Sequence, residues 1–249
     1  MASNILIGEG VPDFTLHCNE GLVHKLSDFR GSKVLLCFYR YANCPVCATS
    51  INKIVGSYKK LAWAAKLKVV TVFFGANTEK LNDGITSTIM KMGNCTGLEC
   101  YPFLALADPK GESYETFQVK NLSFPKFVAG NSLRTLSLLR KYVKDPDDHR
   151  TIGVLLNAIS STKREKAFAT GAITVLPSEI LIDEEGIMVD RMDAKKVGDT
   201  MSMERIAHFL LHGTKLKVQH PQTVPKRQLL FRKSTSNEEG NDKPKKMSK

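Results

Sequence analysis

One stretch limits the folds open to this chain more than any other. It is an apolar run that leads into Cys-Pro-Val-Cys and then into a helical pattern. Residues 34–39 have the length and composition of a buried strand. Pro45 suits the first position of a helix, and apolar residues recur at helical spacing over residues 51–62. Cys44 and Cys47 therefore fall where a strand turns into a helix, and there the free N–H groups and the helix dipole favour a thiolate.

This order of strand, Cys-x-x-Cys and helix is typical of a thioredoxin-like redox pair. A zinc site is the alternative, with Cys44, Cys47, Cys95 and Cys100 as four ligands. The second pair has the looser spacing, and structural zinc usually lies on knuckles rather than at the start of a helix. We therefore favour the redox pair and expect neither a metal nor an organic cofactor.

Composition indicates a globular chain in a reducing setting. The 249 residues suffice for one domain with an extension, and 42% of them are hydrophobic. No apolar run approaches the length of a membrane span, and the first ten residues lack the pattern of a signal peptide. We expect a cytoplasmic location, where paired cysteines are more often catalytic or metal-binding than structural disulfides.

The positive charge is concentrated at the end of the chain. Residues 214–249 contain ten Lys or Arg and three Asp or Glu, which is +7 of the total net charge of +11. This segment is also rich in Ser, Asn and Pro, and we predict a disordered tail after a domain of residues 1–213. Such a tail can attract nucleic acid or an anionic surface, or can simply be solvated and aid solubility.

Strands and helices alternate along most of the domain, which favours an α/β fold. A helix with Thr78 as its N-cap is predicted to run to Gly93, and Ser202 is a candidate N-cap for the last helix. Residues 122–171 break the alternation, and we interpret them as a helical insertion with segments at 133–143 and 152–159. The further predicted strands are residues 13–16, 68–75, 102–107, 179–183 and 187–192.

Taken together, this order of elements resembles the thioredoxin fold. The resemblance implies a cis Leu176–Pro177 bond that faces the thiols, just before a strand hairpin. Several segments are similar to the peroxiredoxin-like branch, the alkyl hydroperoxide reductase and thiol-specific antioxidant superfamily. They are residues 11–16, 26–31, 38–39, 106–109 and 182–186. The resemblance implies a central mixed sheet flanked by helices, with the insertion before the cis proline and the basic tail after the last helix.

The chain departs from this family at positions that bind peroxide. Peroxiredoxins have Pro-x-x-x-Thr-x-x-Cys, and with Cys47 as the reactive cysteine the proline position holds Arg40 and the threonine position holds Cys44. The family's arginine would fall at Pro177, so Arg40 or Arg191 is left to supply a positive charge. These departures favour a thiol–disulfide oxidoreductase, or a peroxiredoxin-like protein of undefined substrate, over a dedicated peroxidase.

Two assignments of the thiols follow from the two resemblances. In the thioredoxin scheme Cys44 attacks a disulfide and Cys47 resolves it. In the peroxiredoxin scheme Cys47 attacks a peroxide, and Cys44 or Cys95 resolves the sulfenic acid. Either scheme implies a thiol electron donor of the thioredoxin or glutathione type, with Pro177 and Arg40 shaping the site. The alternative is a redox-inert binding protein that uses its tail or insertion. The intact Cys-x-x-Cys argues against this alternative, whereas the missing Thr and Arg argue for it.

Overall fold

The structure is a computed structural model that describes residues 5–60, 66–93, 101–123, 126, 172–196 and 198–216. Several predicted features lie outside the described residues, namely the two helices of the insertion and, separately, Cys95 and Cys100. Internal contacts divide the chain after Leu216, and the predicted basic tail lies almost wholly beyond that point. The tail and the predicted domain limit at residue 213 therefore stay predictions.

Seven strands form one mixed sheet. They are β1 (Thr15–Cys18), β2 (Val23–Lys25), β3 (Lys33–Tyr39), β4 (Leu67–Phe74), β5 (Leu104–Asp108), β6 (Ser178–Ile182) and β7 (Met188–Asp193). Their spatial order is β2-β1-β5-β4-β3-β6-β7. The neighbours β3, β4 and β5 run parallel, and every other pair of neighbours is antiparallel. The predicted mixed sheet is confirmed, with the strand that precedes the cysteines near its centre.

The helices are α1 (Pro45–Lys60), α2 (Thr78–Gly84), a π-helix (Ile85–Met90), α3 (Glu112–Thr116) and α4 (Met203–His212). Short 3-10 helices span Leu26–Phe29 and Ala172–Thr174. No helix within the described ranges combines the length and apolar character needed to cross a membrane.

Both predicted helix starts can be compared with their capping geometry. Ser202 caps α4 as predicted, because its side chain accepts a hydrogen bond from the Arg205 N–H at 3.3 Å. The prediction of Thr78 as the cap of α2 is wrong. Asn77 is the N-cap, and its side-chain oxygen accepts a hydrogen bond from the Lys80 N–H at 3.0 Å. The predicted single helix to Gly93 also changes to π geometry after α2.

The pleat of β3 assigns its side chains to two separate cores. Leu35, Cys37 and Tyr39 pack in one core with buried residues of α1, α2 and α4. Leu36 and Phe38 point to the opposite face and pack with residues of α3 and β1. Because successive strand residues alternate between faces, the thiol pair on α1 shares its layer with the odd-numbered residues of β3.

A close contact joins α2 to the loop that leads into the cysteines. A Cβ atom at Gly84 would lie 2.4 Å from the Ala42 Cβ and 2.6 Å from the Ala42 carbonyl carbon. The carbonyl carbon is part of the backbone and the Cβ is bonded to that backbone, two residues before Cys44. These Ala42 atoms therefore have little freedom to move away. Gly84 is thus required by close packing rather than by its backbone angles.

We expect Gly84→Ala to lower the free energy of unfolding by on the order of 1–3 kcal/mol, because the added methyl overpacks this contact. Gly56→Ala is the matched control, since a Cβ at that helical glycine meets nothing within 4 Å. It should raise stability by about 0.5–1 kcal/mol through a better helix propensity. Urea unfolding of both variants measures the difference, and equal stabilities would contradict the packing argument.

Candidate redox site

Cys44 and Cys47 lie together at the start of α1 and are nearly inaccessible, with 1% and 3% of their surfaces exposed. Both are free thiols. The Cys47 thiol hydrogen bonds to the Cys44 sulfur. The two cysteines predicted to work as a pair are therefore in direct contact in the reduced protein.

The surroundings of Cys44 favour its thiolate. Burial by itself opposes a charge on this sulfur. It is outweighed by the hydrogen bond from the Cys47 thiol and by the Arg40 guanidinium, whose Nη1 lies 3.6 Å from the Cys44 Sγ. Backbone N–H groups of Cys47 and Val46 also point to the sulfur. Together they lower the pKa of Cys44 to about 6 from its usual 9.0, which favours its thiolate at neutral pH.

Cys47 has the opposite character. Burial raises the pKa of its thiol well above the usual value, and the hydrogen bond and negative charge shared with Cys44 raise it further. Arg40 acts against this change but does not overcome it. The two shifts therefore favour a negative charge on the first cysteine of the motif and a proton on the second.

Arg40 contacts both Cys44 and the segment that follows the predicted insertion. Only 5% of Arg40 is exposed, and its Nη2 donates to the Ile173 carbonyl oxygen at 2.6 Å. Its guanidinium carbon also lies 5.4 Å from the centre of the Tyr41 ring. The other candidate cation, Arg191, instead forms an ion pair with Asp193 at 2.9 Å. Of the two arginines that the sequence offered, Arg40 is the one beside the sulfur.

The chain segments on either side of the insertion pair with each other near the thiols. Leu176 N donates to the Lys120 carbonyl oxygen at 2.9 Å, and Leu122 N donates to the Thr174 carbonyl oxygen at 3.1 Å. Val46, between the two cysteines, packs with Leu122 against Leu176. The segments on either side of the predicted insertion thus pack beside Val46, between the two cysteines.

Pro177 follows this paired segment and is buried. Its carbonyl oxygen accepts a hydrogen bond from the Ala194 N–H at 2.9 Å, and Ala194 packs against Leu176 and Val46. The predicted proline is therefore adjacent in sequence to a residue that contacts the cysteine loop. The cis geometry of its peptide bond stays a prediction, and so does the resolving role of Cys95, which is outside the described residues.

Sequence analysis missed two polar residues in the layer beneath the cysteines. Tyr39 and Glu179 have no exposed surface, and the Tyr39 hydroxyl donates to the Glu179 Oε1 at 3.4 Å. The available signal was a glutamate inside an otherwise apolar strand, since a fully buried carboxyl is rare without a specific partner. Among the described residues, no group of three or more potential ligands could hold a metal ion.

Comparison with known proteins identifies the family. Residues 7–220 match the model of the AhpC/TSA family. The chain belongs to the AhpC/TSA family. This confirms the predicted family and supports a thiol oxidoreductase. No curated protein sequence matches the chain.

One solved structure with a TM-score above 0.5 supports the predicted thioredoxin fold. A thiol peroxidase from Chromobacterium violaceum aligns at 11% identity with a TM-score of 0.52, over 86% of this chain and 90% of that one. The reduced 2-Cys peroxiredoxin of Plasmodium vivax aligns at 14% identity, a TM-score of 0.49 and coverages of 82% and 93%. The thioredoxin domain of a thiol–disulfide oxidoreductase from Bacteroides vulgatus aligns at 13% identity, a TM-score of 0.46 and coverages of 83% and 99%. The similarity at this level of identity concerns the fold.

Removing the positive charge beside Cys44 should weaken its thiolate. We expect Arg40→Met to raise the pKa of Cys44 by on the order of one unit, because an adjacent cation favours the charged sulfur. The thiolate absorbance of the reduced protein, measured against pH with Cys44→Ser as the blank, reports this pKa. Lys68→Met, which removes an exposed positive charge, should leave it unchanged. Equal titrations for Arg40→Met and the parent would contradict the assignment.

The lowered pKa of Cys44 also predicts how stability depends on pH. An acid whose pKa is lower in the folded state stabilises the fold above its unfolded pKa, and this contribution is lost as the pH falls through the folded value. The stability difference between the reduced parent and Cys44→Ser should therefore grow from about pH 6 to pH 9. The gain is at most about 4 kcal/mol, at about 1.4 kcal/mol per pKa unit. Denaturant unfolding at both pH values measures it, and a pH-independent difference would contradict the prediction.

Proposed function

We propose that this protein is a thiol–disulfide oxidoreductase in which Cys44 attacks and Cys47 resolves. The observation that carries the proposal is the chemical difference between the two sulfurs. Cys44 accepts hydrogen bonds from the first turn of α1 and lies beside Arg40, whereas the Cys47 thiol keeps its proton and donates a hydrogen bond to the Cys44 sulfur. A nucleophile and a protonated second thiol in contact are the two groups that disulfide exchange requires.

The reaction has two exchange steps. The Cys44 thiolate attacks one sulfur of the substrate disulfide, forms a mixed disulfide and releases the first substrate thiolate. The Cys47 sulfur, after losing its proton, attacks the Cys44 Sγ. The Cys44–Cys47 bond then forms as the second substrate thiolate leaves. A donor of the thioredoxin or glutathione type returns two electrons to the pair by the same exchange in reverse, and no organic cofactor takes part.

A second candidate substrate is a hydroperoxide. It is favoured by the family and by the guanidinium of Arg40 beside the Cys44 sulfur, because a cation there stabilises the oxygen that departs. The Cys44 thiolate would break the O–O bond and become a sulfenic acid, and Cys47 would then displace water to form the same disulfide. Both substrates thus lead to one oxidised product.

We place the activity in the cytoplasm, because the composition and cysteine usage suit a reducing compartment. Binding of nucleic acid or an anionic surface by the basic residues 214–249 is a separate proposal that rests on charge alone.

Single-turnover mixing of the reduced full chain with a peptide disulfide, and separately with hydrogen peroxide, tests the proposal. Cys44→Ser should abolish reaction of the pair with either oxidant. Cys47→Ser should instead accumulate a mixed disulfide or a sulfenic acid, both detectable by mass spectrometry. Reaction lost only in Cys47→Ser would transfer the attacking role to Cys47. Absence of turnover with both oxidants would favour the redox-inert binding protein.

A further inference from the structure

The two thiols are nearly inaccessible, although any oxidant has to reach the Cys44 sulfur. Only 1% of Cys44 and 3% of Cys47 are exposed. A disulfide must bring one of its own sulfurs into bonding contact with the Cys44 Sγ, while the groups on both of its sulfurs need room. Hydrogen peroxide is hardly larger than a water molecule. The closed site therefore opposes the approach of a disulfide far more than that of hydrogen peroxide.

Two short segments pair with each other beside the cysteines. They are residues 120–122 and residues 174–176, and we call them together the cover. An isolated antiparallel bridge joins Asn121 and Val175, with one backbone hydrogen bond on either side of it. The Thr174 hydroxyl also donates to the Asn121 Oδ1 at 2.6 Å. The cover is thus a small two-stranded unit with three hydrogen bonds between its segments.

An apolar contact holds the cover beside the cysteine loop. Leu122 is partly buried and packs against the buried side chains of Leu176 and Ala194. Val46, which lies between the two cysteines, packs against the same two side chains. Leu122 and the cysteine loop therefore share one small apolar cluster, and moving residues 120–122 away would open it.

A polar contact reaches the same place from the second segment. The Ile173 carbonyl oxygen, directly before residues 174–176, accepts a hydrogen bond from the Arg40 Nη2 at 2.6 Å. The Arg40 Nη1 lies 3.6 Å from the Cys44 Sγ. The second segment is thus attached to the group that contacts the sulfur, which leaves residues 120–122 as the segment that can move without disturbing the thiolate.

The chain on the N-terminal side of residues 120–122 is anchored. Val119 is buried in the core on the other face of the sheet, and so is Val175 in the second segment. The Gln118 carbonyl oxygen accepts a hydrogen bond from the Arg191 Nη2 at 3.4 Å. Opening at residues 120–122 would therefore pivot next to Val119 and leave the sheet intact.

The other neighbours of the thiols are more costly to move. Cys44 and Cys47 pack with buried side chains of β3, α1, α2 and α4, among them the fully buried Cys37, Ile51 and Leu81. Displacing any of these elements would expose apolar side chains that the core now buries completely. Segments held by a few hydrogen bonds and by partly buried side chains open at a lower free energy.

We propose that the cover selects the oxidant by size. Hydrogen peroxide reaches Cys44 while the cover is closed, whereas a disulfide reaches it only after residues 120–122 have moved away. This inference rests on the proposed function, in which Cys44 attacks. With peroxide, the thiolate displaces hydroxide and becomes a sulfenic acid. With a disulfide, it displaces one thiolate and forms a mixed disulfide. The residues of the cover determine specificity through its position and take no part in these steps.

Single-turnover reactions of the reduced full chain with two uncharged oxidants test the proposal. The oxidants are hydrogen peroxide and the aromatic disulfide dithiodipyridine. Every variant carries Cys47→Ser, so that only the first step at Cys44 is followed. Acid quenching and peptide mass spectrometry count the modified Cys44 directly, and other cysteines then do not enter the rate.

The hydrogen bond between Thr174 and Asn121 can be removed from either side. Thr174→Val keeps the shape of the side chain, and we expect it to raise the rate with dithiodipyridine about fivefold, the change in an equilibrium that one ordinary hydrogen bond produces. The rate with hydrogen peroxide should stay within about twofold of the parent, because it does not depend on the open fraction. Asn121→Ala should act alike, and the double variant should be no faster than either single one.

The apolar contact is tested by Leu122→Ala. This variant should raise the rate with dithiodipyridine about tenfold, because it removes apolar area that the closed cover buries, again with little effect on the peroxide rate. Leu211→Ala is the matched control. That leucine is 73% exposed on α4, and its truncation should change neither rate.

Two further measurements distinguish opening of the cover from a change at the sulfur or in the helix. The pKa of Cys44 should be the same in Thr174→Val as in the parent, because Arg40 keeps its place. Hydrogen exchange at the amides of Leu122 and Leu176 should become faster, whereas the first turn of α1 should not change. Faster exchange in α1 alone would mean that the helix opens instead, and it would overturn the inference.

The outcomes separate this inference from the function on which it rests. If Cys44 reacts with dithiodipyridine but the cover variants leave that rate unchanged, or accelerate both oxidants equally, the size selection is wrong and the oxidoreductase stands. If Cys44 reacts with neither oxidant, the oxidoreductase is wrong and the inference fails with it.

Discussion

The contact between the Arg40 guanidinium and the Cys44 sulfur is the interaction on which the redox site depends. Both groups are almost completely buried, where a charge is costly unless another charge or a set of hydrogen bonds compensates for it. The thiolate and the guanidinium stabilise each other, and the first turn of α1 supplies further N–H groups to the sulfur. Oxidation of Cys44 to a disulfide removes the negative charge from this contact.

The central position of β3 arranges the rest of the site around that contact. Parallel pairing with β4 and antiparallel pairing with β6 bury the strand on both edges, and its carboxyl end leads directly to Arg40 and the cysteines. The alternation of its side chains places Tyr39 in the same layer as α1 and beside Glu179 of β6. Cys44, Cys47 and the buried carboxyl thus share one face of the sheet.

Packing around the cysteine loop restricts how that loop can move. Because Gly84 has no side chain, α2 can pack closely against Ala42. Val46 packs on the paired segments that flank the predicted insertion. The Arg40 hydrogen bond to the Ile173 carbonyl oxygen links the same segments to the thiolate. These contacts link the loop before Cys44 to the segments around residues 122 and 173.

The sequence by itself determined the strand, the Cys-x-x-Cys and the helix that follows, together with the mixed sheet, the family and the Ser202 cap of α4. The strand, the helix and the cap are local features, because periodicity, proline placement and capping depend on residues a few positions apart, whereas the mixed sheet and the family followed from the resemblance to known proteins. The N-cap of α2 was missed because Asn77 and Thr78 are both suitable capping residues, and backbone geometry chooses between them.

Only the tertiary structure decided which sulfur is in surroundings that favour a negative charge and which distant groups contribute to them. Arg40 and Ile173 are 133 residues apart, and Tyr39 and Glu179 are 140 apart. These contacts arise when β6 pairs with β3, which also buries Tyr39 and Glu179 between the sheet and the helices. The pKa of each thiol depends on that burial and on neighbours a few ångströms away, and these are properties of the packed sheet that the order of residues along the chain does not reveal.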